Sequence, residues 1–285
     1  MIIVTGATGH IGNELVRLLS EKNVSVRALT RDPRRARPMG GVDWVKGDLA
    51  EPDSLPGLFR GATRMFLLTS NSEDMRALQV NAIEAARAAG VAHVVKGSAL
   101  GASDHSKSPI GKAHYEVERA LQESGIAWTI LRPHVFMQNF LDIAPTIVRG
   151  GRIRAASGDG KIPFVDARDI AAVAAIALTA PGHEGKRYVL TGPEALSYGD
   201  VARIIGKAVG RPMEYVAESL EEARERLVRA GAPTWMIEST LALAVYQRAG
   251  GPTAEISKTI EEVLGRPPRS FAQFVKDYAS VFRDR

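Results

Sequence analysis

The sequence predicts an α/β protein, a doubly wound parallel sheet with a smaller, mainly helical C-terminal lobe. Three observations carry that prediction. Short β-branched runs alternate with longer amphipathic stretches through the first half of the chain, the pattern of repeated βα units. Runs such as Ile2-Ile3-Val4 and Phe66-Leu67-Leu68 are apolar at consecutive positions, as strands covered on both faces must be. After Arg149-Gly150-Gly151 the alternation loosens, and from Thr191 onward the pattern is mainly helical.

Taken in order, residues 2–5, 24–30, 42–46, 64–69, 91–96 and 128–132 read as six strands. Between them, Ile11, Leu15, Leu18 and Leu19 form an apolar stripe that ends before Asn23, and Leu78, Ile83 and Ala86 form another that ends before Gly90. A helix is expected over 166–179, followed by a strand over 187–190 that can join the same sheet. Ser197-x-x-Asp200 and Ser270-x-x-Gln273 have the spacing of capping boxes and mark two later helix starts. The expected organisation is a first domain over 1–150, its sheet completed by 163–192, and a smaller lobe over 193–285 together with 151–162.

Composition narrows the chemistry. The chain of 285 residues is 45% hydrophobic and has a net charge of +5, enough apolar content for a large buried core. It has no cysteine, which excludes disulfides, thiolate nucleophiles, zinc-thiolate sites and cysteine-ligated iron-sulfur clusters. Any redox chemistry must therefore use a borrowed cofactor. His10, His93, His105, His134 and His183 have no ligand spacing on a shared helix face, so no metal is expected. The first strand-like run opens at Ile2 and no apolar stretch reaches membrane length, so the expectation is a cytoplasmic chain with neither leader nor membrane contact. Arg27, Arg31, Arg34, Arg35 and Arg37 concentrate positive charge in one short window, which favours a small phosphate ligand or a solvated surface over nucleic acid.

Thr5-Gly6-Ala7-Thr8-Gly9-His10-Ile11-Gly12 lies where the first strand passes into the first helix. In that context glycines let backbone amides approach a pyrophosphate, and the helix N-terminus offers unpaired N–H groups and partial positive charge. This predicts a Rossmann-type NAD(P)-binding domain, with Gly6, Thr8, Gly9, His10, Ile11 and Gly12 at the phosphates. The second strand ends in Leu29-Thr30-Arg31, where an NAD-selective site offers a carboxylate to the ribose 2'-hydroxyl. Arg31 instead suits a 2'-phosphate, with Arg34 or Arg35 able to assist, so the expected cofactor is NADP(H). Asp32 keeps the NAD alternative open. Asp48 and Leu49 after the third strand are candidates for the adenine, the alternative being a turn in which Asp48 caps the next helix. Leu68, Thr69 and Ser70 end the fourth strand at the ligand-binding edge of the sheet and are candidates for the nicotinamide-ribose path, or form a plain loop.

Together with the glycine turn and Gly47-Asp48-Leu49, the run His114-Tyr115-Glu116-Val117-Glu118 leading to Ser124-Gly125-Ile126-Ala127-Trp128-Thr129-Ile130-Leu131-Arg132-Pro133 resembles the NmrA-like atypical short-chain dehydrogenases/reductases. The likeness continues through Phe136-Met137-Gln138-Asn139, Val165-Asp166-Ala167-Arg168-Asp169-Ile170 and Gly265-Arg266-Pro267-Pro268, and so covers essentially the whole chain. Within that family it is most similar to the bacterial NAD(P)H:quinone oxidoreductases and triphenylmethane reductases. The resemblance implies hydride transfer from NADPH to a quinone-like or other conjugated organic acceptor. It also implies an alternative, a non-catalytic NADP(H)-binding redox sensor or regulator of the NmrA type.

Short-chain dehydrogenases generally pair Tyr with Lys four residues later, so that the ammonium lowers the phenol pKa; here the pair is Tyr115 and Arg119. That departure weakens ordinary ketone reduction. By resemblance His114 matches a histidine of the quinone-reducing members, and it can orient the acceptor or donate a proton. Ser98, just after the fifth strand, is a third candidate, through a hydrogen bond to substrate or ribose. Phe136, Met137 and Trp235 are candidate apolar walls for a flat acceptor in a cleft between domain and lobe. Asn139 and the Asp166, Arg168 and Asp169 group are expected to be structural. The expected partner is a small-molecule acceptor, with the chain a monomer or homodimer.

Overall fold

The computed structural model describes residues 1–283 and divides into two compact units. The strands along the chain are β1 (Ile2–Val4), β2 (Val26–Thr30), β3 (Val42–Lys46), β4 (Arg64–Leu67), β5 (His93–Gly97), β6 (Ala127–Pro133), β7 (Arg152–Ala155), β8 (Lys186–Leu190) and β9 (Glu214–Ala217). The helices are α1 (His10–Glu21), α2 (Leu55–Phe59), α3 (Met75–Ala88), α4 (Pro109–Glu123), α5 (Asn139–Asp142), α6 (Ala144–Gly150), α7 (Ala167–Thr179), α8 (Tyr198–Val209), α9 (Leu220–Arg229), α10 (Thr234–Ala249), α11 (Thr259–Leu264) and α12 (Phe271–Asp277). Among the described residues, no helix is long and apolar enough to cross a membrane.

The first unit comprises Met1–Ser106, Ile110–Pro133 and Ala167–Val189. Its sheet has the order β3-β2-β1-β4-β5-β6-β8. The pairs β1–β2, β1–β4, β2–β3, β4–β5 and β5–β6 are all parallel. The chain winds outward from β1 to β3, then returns to place β4 on the other side of β1. The order therefore reverses between β1 and β4, and the carboxyl ends of those two strands are where open sheets of this kind receive a ligand. The expected Rossmann architecture is present, and the strand over 187–190 does join its sheet. Ile3, Phe59, Met65, Leu67, Val94 and Leu121 belong to the core on one side of the sheet. α1 packs on α7, whose Ala171, Ala174, Ala175 and Ala177 are all buried; small residues let two helices approach closely.

The second unit comprises Lys107–Pro109, His134–Asp166 and the chain from Leu190. Its core gathers Phe140, Phe164, Phe271 and Phe274, with Tyr198 half-buried against them. Phe140 meets Phe271 nearly edge-to-face at 5.2 Å and Phe164 at 5.4 Å, the arrangement that aromatic quadrupoles favour. Met137, Phe140, Ala144 and Ile147 bury themselves in this cluster. That is why residues 134–150 pack with the second unit, where the sequence reading had counted them with the first domain. The unit also contains a short parallel pair, β7 with β9, which the sequence reading did not anticipate. Ser197 and Asp200 form the full capping box expected at α8, and Ser270 accepts the Gln273 N–H at the start of α12. A further box, Ser219 with Glu222, opens α9.

Candidate functional site

The turn after β1 is built from backbone, and two of its glycines are required by contact. Gly6 adopts φ +63°, and a Cβ there would lie 2.7 Å from the Leu68 carbonyl oxygen. At Gly12 a Cβ would lie 2.1 Å from the Gly6 carbonyl oxygen, so only glycine lets α1 start this close to the turn. Gly9, the N-cap residue of α1, is exposed, and no side chain caps the helix there. A Cβ at Gly9 would point where the nearest atom is 3.4 Å away, which leaves the helix N-terminus approachable from outside. Such an uncapped, glycine-fronted helix start fits a pyrophosphate. Ile11 contributes only its backbone to that face, because its side chain is buried.

Thr5 explains how the turn is held at the switch point. Its Oγ1 donates to the Leu68 carbonyl at 2.8 Å and accepts the Leu68 N–H at 2.9 Å. The ends of β1 and β4 are thereby fastened together, and Leu68 becomes a border of the glycine turn. Beside it, Gln79 of α3 is fully buried and its Nε2 donates to Thr69 Oγ1 at 2.9 Å. Asn81 Nδ2 donates to the Leu49 carbonyl at 2.9 Å and anchors the loop after β3. Asp48 Oδ1 accepts the Ala50 N–H at 3.0 Å, so part of that carboxylate serves the turn.

In the segment after β2, Asp32 is engaged by Arg34 and Arg31 is not. Asp32 Oδ1 accepts from the Arg34 backbone N–H at 3.0 Å and from Arg34 Nε at 2.8 Å, while Oδ2 accepts from Arg34 Nη2 at 3.0 Å. The Arg34 guanidinium and N–H hold the Asp32 carboxyl below its ordinary pKa. Arg34 is thus committed to Asp32, and the two charges offset each other. Arg31 is exposed, with no hydrogen bond or ion pair to any of the described residues. Arg35 is likewise exposed.

A second group of residues surrounds the end of β5. Lys96 is fully buried on a central strand, an expensive place for a cation. Its Nζ donates to the Gly97 carbonyl at 2.8 Å and lies 3.2 Å from His114 Nδ1 of α4. Burial pushes the Lys96 amine down to about 7, against the attraction of Glu118. His114 is held well below its ordinary value by burial and by the Lys96 and Arg132 charges, so its ring is neutral. While Lys96 is an ammonium it can only donate, so in that state Nδ1 accepts and the imidazole proton sits on Nε2. That Nε2 makes no hydrogen bond to the described residues and is not a sealed atom.

Glu118, one turn further along α4 and 1% exposed, accepts from Arg132 Nε at 2.9 Å and Nη2 at 2.5 Å, and from Ser98 Oγ at 2.5 Å. Arg187 of β8 stands 3.7 Å from the same carboxylate. Ser98 therefore spends its hydroxyl proton on Glu118 and is a support for the ion pair. Tyr115 is half-buried, and Arg119, exposed, pairs with Glu123 and also contacts the Tyr115 hydroxyl. Met137 lies in the core of the second unit, not on a wall; Phe136 and Trp235 are partly exposed. Gln138 Nε2 donates to the buried Asp166 Oδ1 at 2.9 Å, a structural use of both side chains. No group of three or more His, Asp or Glu is placed to hold a metal among the described residues.

The glycine turn, Arg31, the β4 end and His114, the candidates that the sequence offers, all lie in the first unit. The sequence reading missed Thr5, Gln79, Asn81, Lys96 and Glu118. Of these, Lys96 carried a readable signal: a lysine inside Val94-Val95-Lys96-Gly97, an otherwise apolar central strand.

A model of the NmrA-like family matches residues 1–269. The chain is 42% identical over 287 residues to an NAD(P)H azoreductase of Xenophilus azovorans, with 99% of each chain covered. Its structure is similar to that of an NADPH-dependent quinone oxidoreductase from Escherichia coli complexed with NADPH, with a TM-score of 0.87 and 30% identity over 98% of this chain and 100% of the other. It is also similar to the Citrobacter sp. triphenylmethane reductase complexed with NADP(H), with a TM-score of 0.85 and 27% identity over 97% and 99% of the two chains. The chain belongs to the NmrA-like family.

Proposed function

We propose that this chain is an NADPH-dependent oxidoreductase that passes hydride to a quinone-like or other conjugated organic acceptor. The observation that carries the reading is the free Arg31 beside a glycine turn whose helix start is uncapped, with the competing Asp32 neutralised by Arg34. The full-length similarity to an azoreductase and to a quinone oxidoreductase supports the acceptor class, which includes quinones, azo compounds and triarylmethane dyes.

The bound dinucleotide supplies the hydride. The chain's own residues bind, orient and hold a proton. The backbone of Gly6, Thr8, Gly9, His10, Ile11 and Gly12 receives the pyrophosphate, and Arg31 pairs with the 2'-phosphate. Asp48 and Leu49 border the adenine, while Leu68, Thr69 and Ser70 border the nicotinamide ribose. His114 offers its Nε2 proton to the acceptor. Tyr115 has Arg119, not a lysine, four residues later, and so has a smaller part in the chemistry.

Purified protein mixed with NADPH or NADH and a panel of quinones, azo dyes and triarylmethane dyes, followed at the reduced-nicotinamide absorbance band, tests the reading. Acceptor-dependent oxidation of NADPH is expected. Tight NADPH binding without turnover on any acceptor would overturn it in favour of a redox sensor.

A further inference from the structure

Lys96 is a buried amine that no part of the nucleotide site uses. A lysine on a central parallel strand, sealed from water and in contact with a histidine ring, is costly unless the contact does something. Among the described residues, Nζ makes hydrogen bonds with the Gly97 carbonyl and His114 Nδ1 alone. The charged groups facing this pair are Glu118 from α4, Arg132 from β6 and, through Glu118, Arg187 from β8. Glu118 is engaged by Arg132 and Ser98, and no hydrogen bond joins it to Nζ. The imidazole is the side chain that Nζ does contact, and so the one to which it can pass a proton directly.

From this geometry we infer that Lys96 is a positioning residue that fixes the His114 tautomer and recharges its ring with a proton as the acceptor is reduced. The inference rests on the reductase reading above. A quinone that has received a hydride, two electrons and one proton, still needs one proton to leave as the hydroquinone. His114 Nε2 gives that proton to the acceptor oxygen as Nδ1 takes one from the Lys96 ammonium. The ring ends neutral with its proton on Nδ1, and Lys96 ends as the neutral amine. A solvent proton then adds at Nε2 while the Nδ1 proton returns to Lys96, so the net proton comes from water. A neutral imidazole alone gives up its proton only by becoming an anion; the lysine behind it removes that obstacle.

The tests are an activity profile and an activity-independent spectrum. Imidazole nitrogen NMR of the wild-type protein is expected to show His114 protonated on Nε2 and not titrating as a histidine between pH 5 and pH 8. In Lys96→Met, where the cation is removed and the chain length kept, His114 is expected to titrate closer to its ordinary value. In turnover, wild-type kcat is expected to fall as pH rises through the Lys96 ionisation, near 7. Lys96→Met is expected to lose that limb and to lower kcat by roughly ten- to a hundredfold with the KM for NADPH within about twofold. A wild-type His114 protonated on Nδ1 overturns the inference without need of a variant. So does a variant with an unchanged pH limb, while the reductase reading stands. Absence of wild-type turnover on every acceptor overturns the reductase reading and this role with it.

Discussion

The glycine turn after β1 and the cluster at the end of β5 stand on one sheet and are built from opposite materials. The turn is backbone: Gly6 and Gly12 are there because a Cβ would strike a carbonyl oxygen, and Thr5 fastens it to Leu68. The cluster is side chain: Lys96, His114, Glu118 and Arg132 are brought together from a strand, a helix and a second strand, and are buried or largely so. A backbone site tolerates changes around it as long as the chain can turn. A buried charged site loses stability as soon as one partner is missing.

The largest expected effect follows from that contrast. Glu118→Ala leaves Arg132 without its carboxylate and should cost about 3–5 kcal/mol of stability, measured by urea unfolding. A loss below about 1 kcal/mol would mean that water already satisfies the arginine and that the cluster is not the sealed unit described here. In the turn, Gly12→Ala should cost about 1–3 kcal/mol because backbone must move, and NADPH binding should be lost with it. Gly9→Ser separates the two properties. A serine there can cap α1, so stability should stay within about 0.5 kcal/mol, while NADPH binding weakens because the pyrophosphate approach is blocked. Equal stability losses at Gly9 and Gly12 would contradict the division between a packed and an open glycine.

Smaller effects sharpen the same comparison. Arg31→Ala should weaken NADPH roughly tenfold and leave NADH unchanged, as read by titration of both nucleotides. Equal losses for the two would remove the 2'-phosphate assignment. For the cluster, the folded-state pKa of Lys96 lies below that of the unfolded chain. Between about 7 and the ordinary lysine value the unfolded state binds the extra proton, so stability from this residue rises with pH in that window. The unfolding midpoint of wild type should therefore rise more from pH 7 to pH 9 than that of Lys96→Met. Parallel midpoints in the two proteins would show that the amine is not desolvated.

The same contrast decides what was legible in the sequence. Gly6, Gly9 and Gly12 were readable because their reason is local: a strand end, a turn and a helix start lie within a few residues of each other. Arg31 and its rival Asp32 are both visible at the end of a strand, but only the folded turn shows Arg34 closing on that carboxylate. Thr5 was missed because its partner Leu68 is far away along the chain. Lys96 and Glu118 each look like ordinary polar residues until β5, α4 and β6 bring their charges together. The pair β7–β9 was missed because Arg152, Arg154 and Glu214 make short runs that look solvated. Residues 134–150 were assigned to the wrong neighbour because Met137, Phe140 and Ile147 find their core only after Phe271 and Phe274 arrive from the far end of the chain.

The most direct measurement of the central claim follows the hydride itself. A triarylmethane dye keeps the transferred hydrogen on carbon, so reduction with NADPH deuterated at C4 labels the product permanently. With one of the two C4-deuterated diastereomers, the leuco dye should carry a single deuterium on its central carbon, by mass spectrometry and NMR. Leuco dye free of deuterium with both diastereomers, or no reduction at all, would contradict direct hydride transfer by this chain.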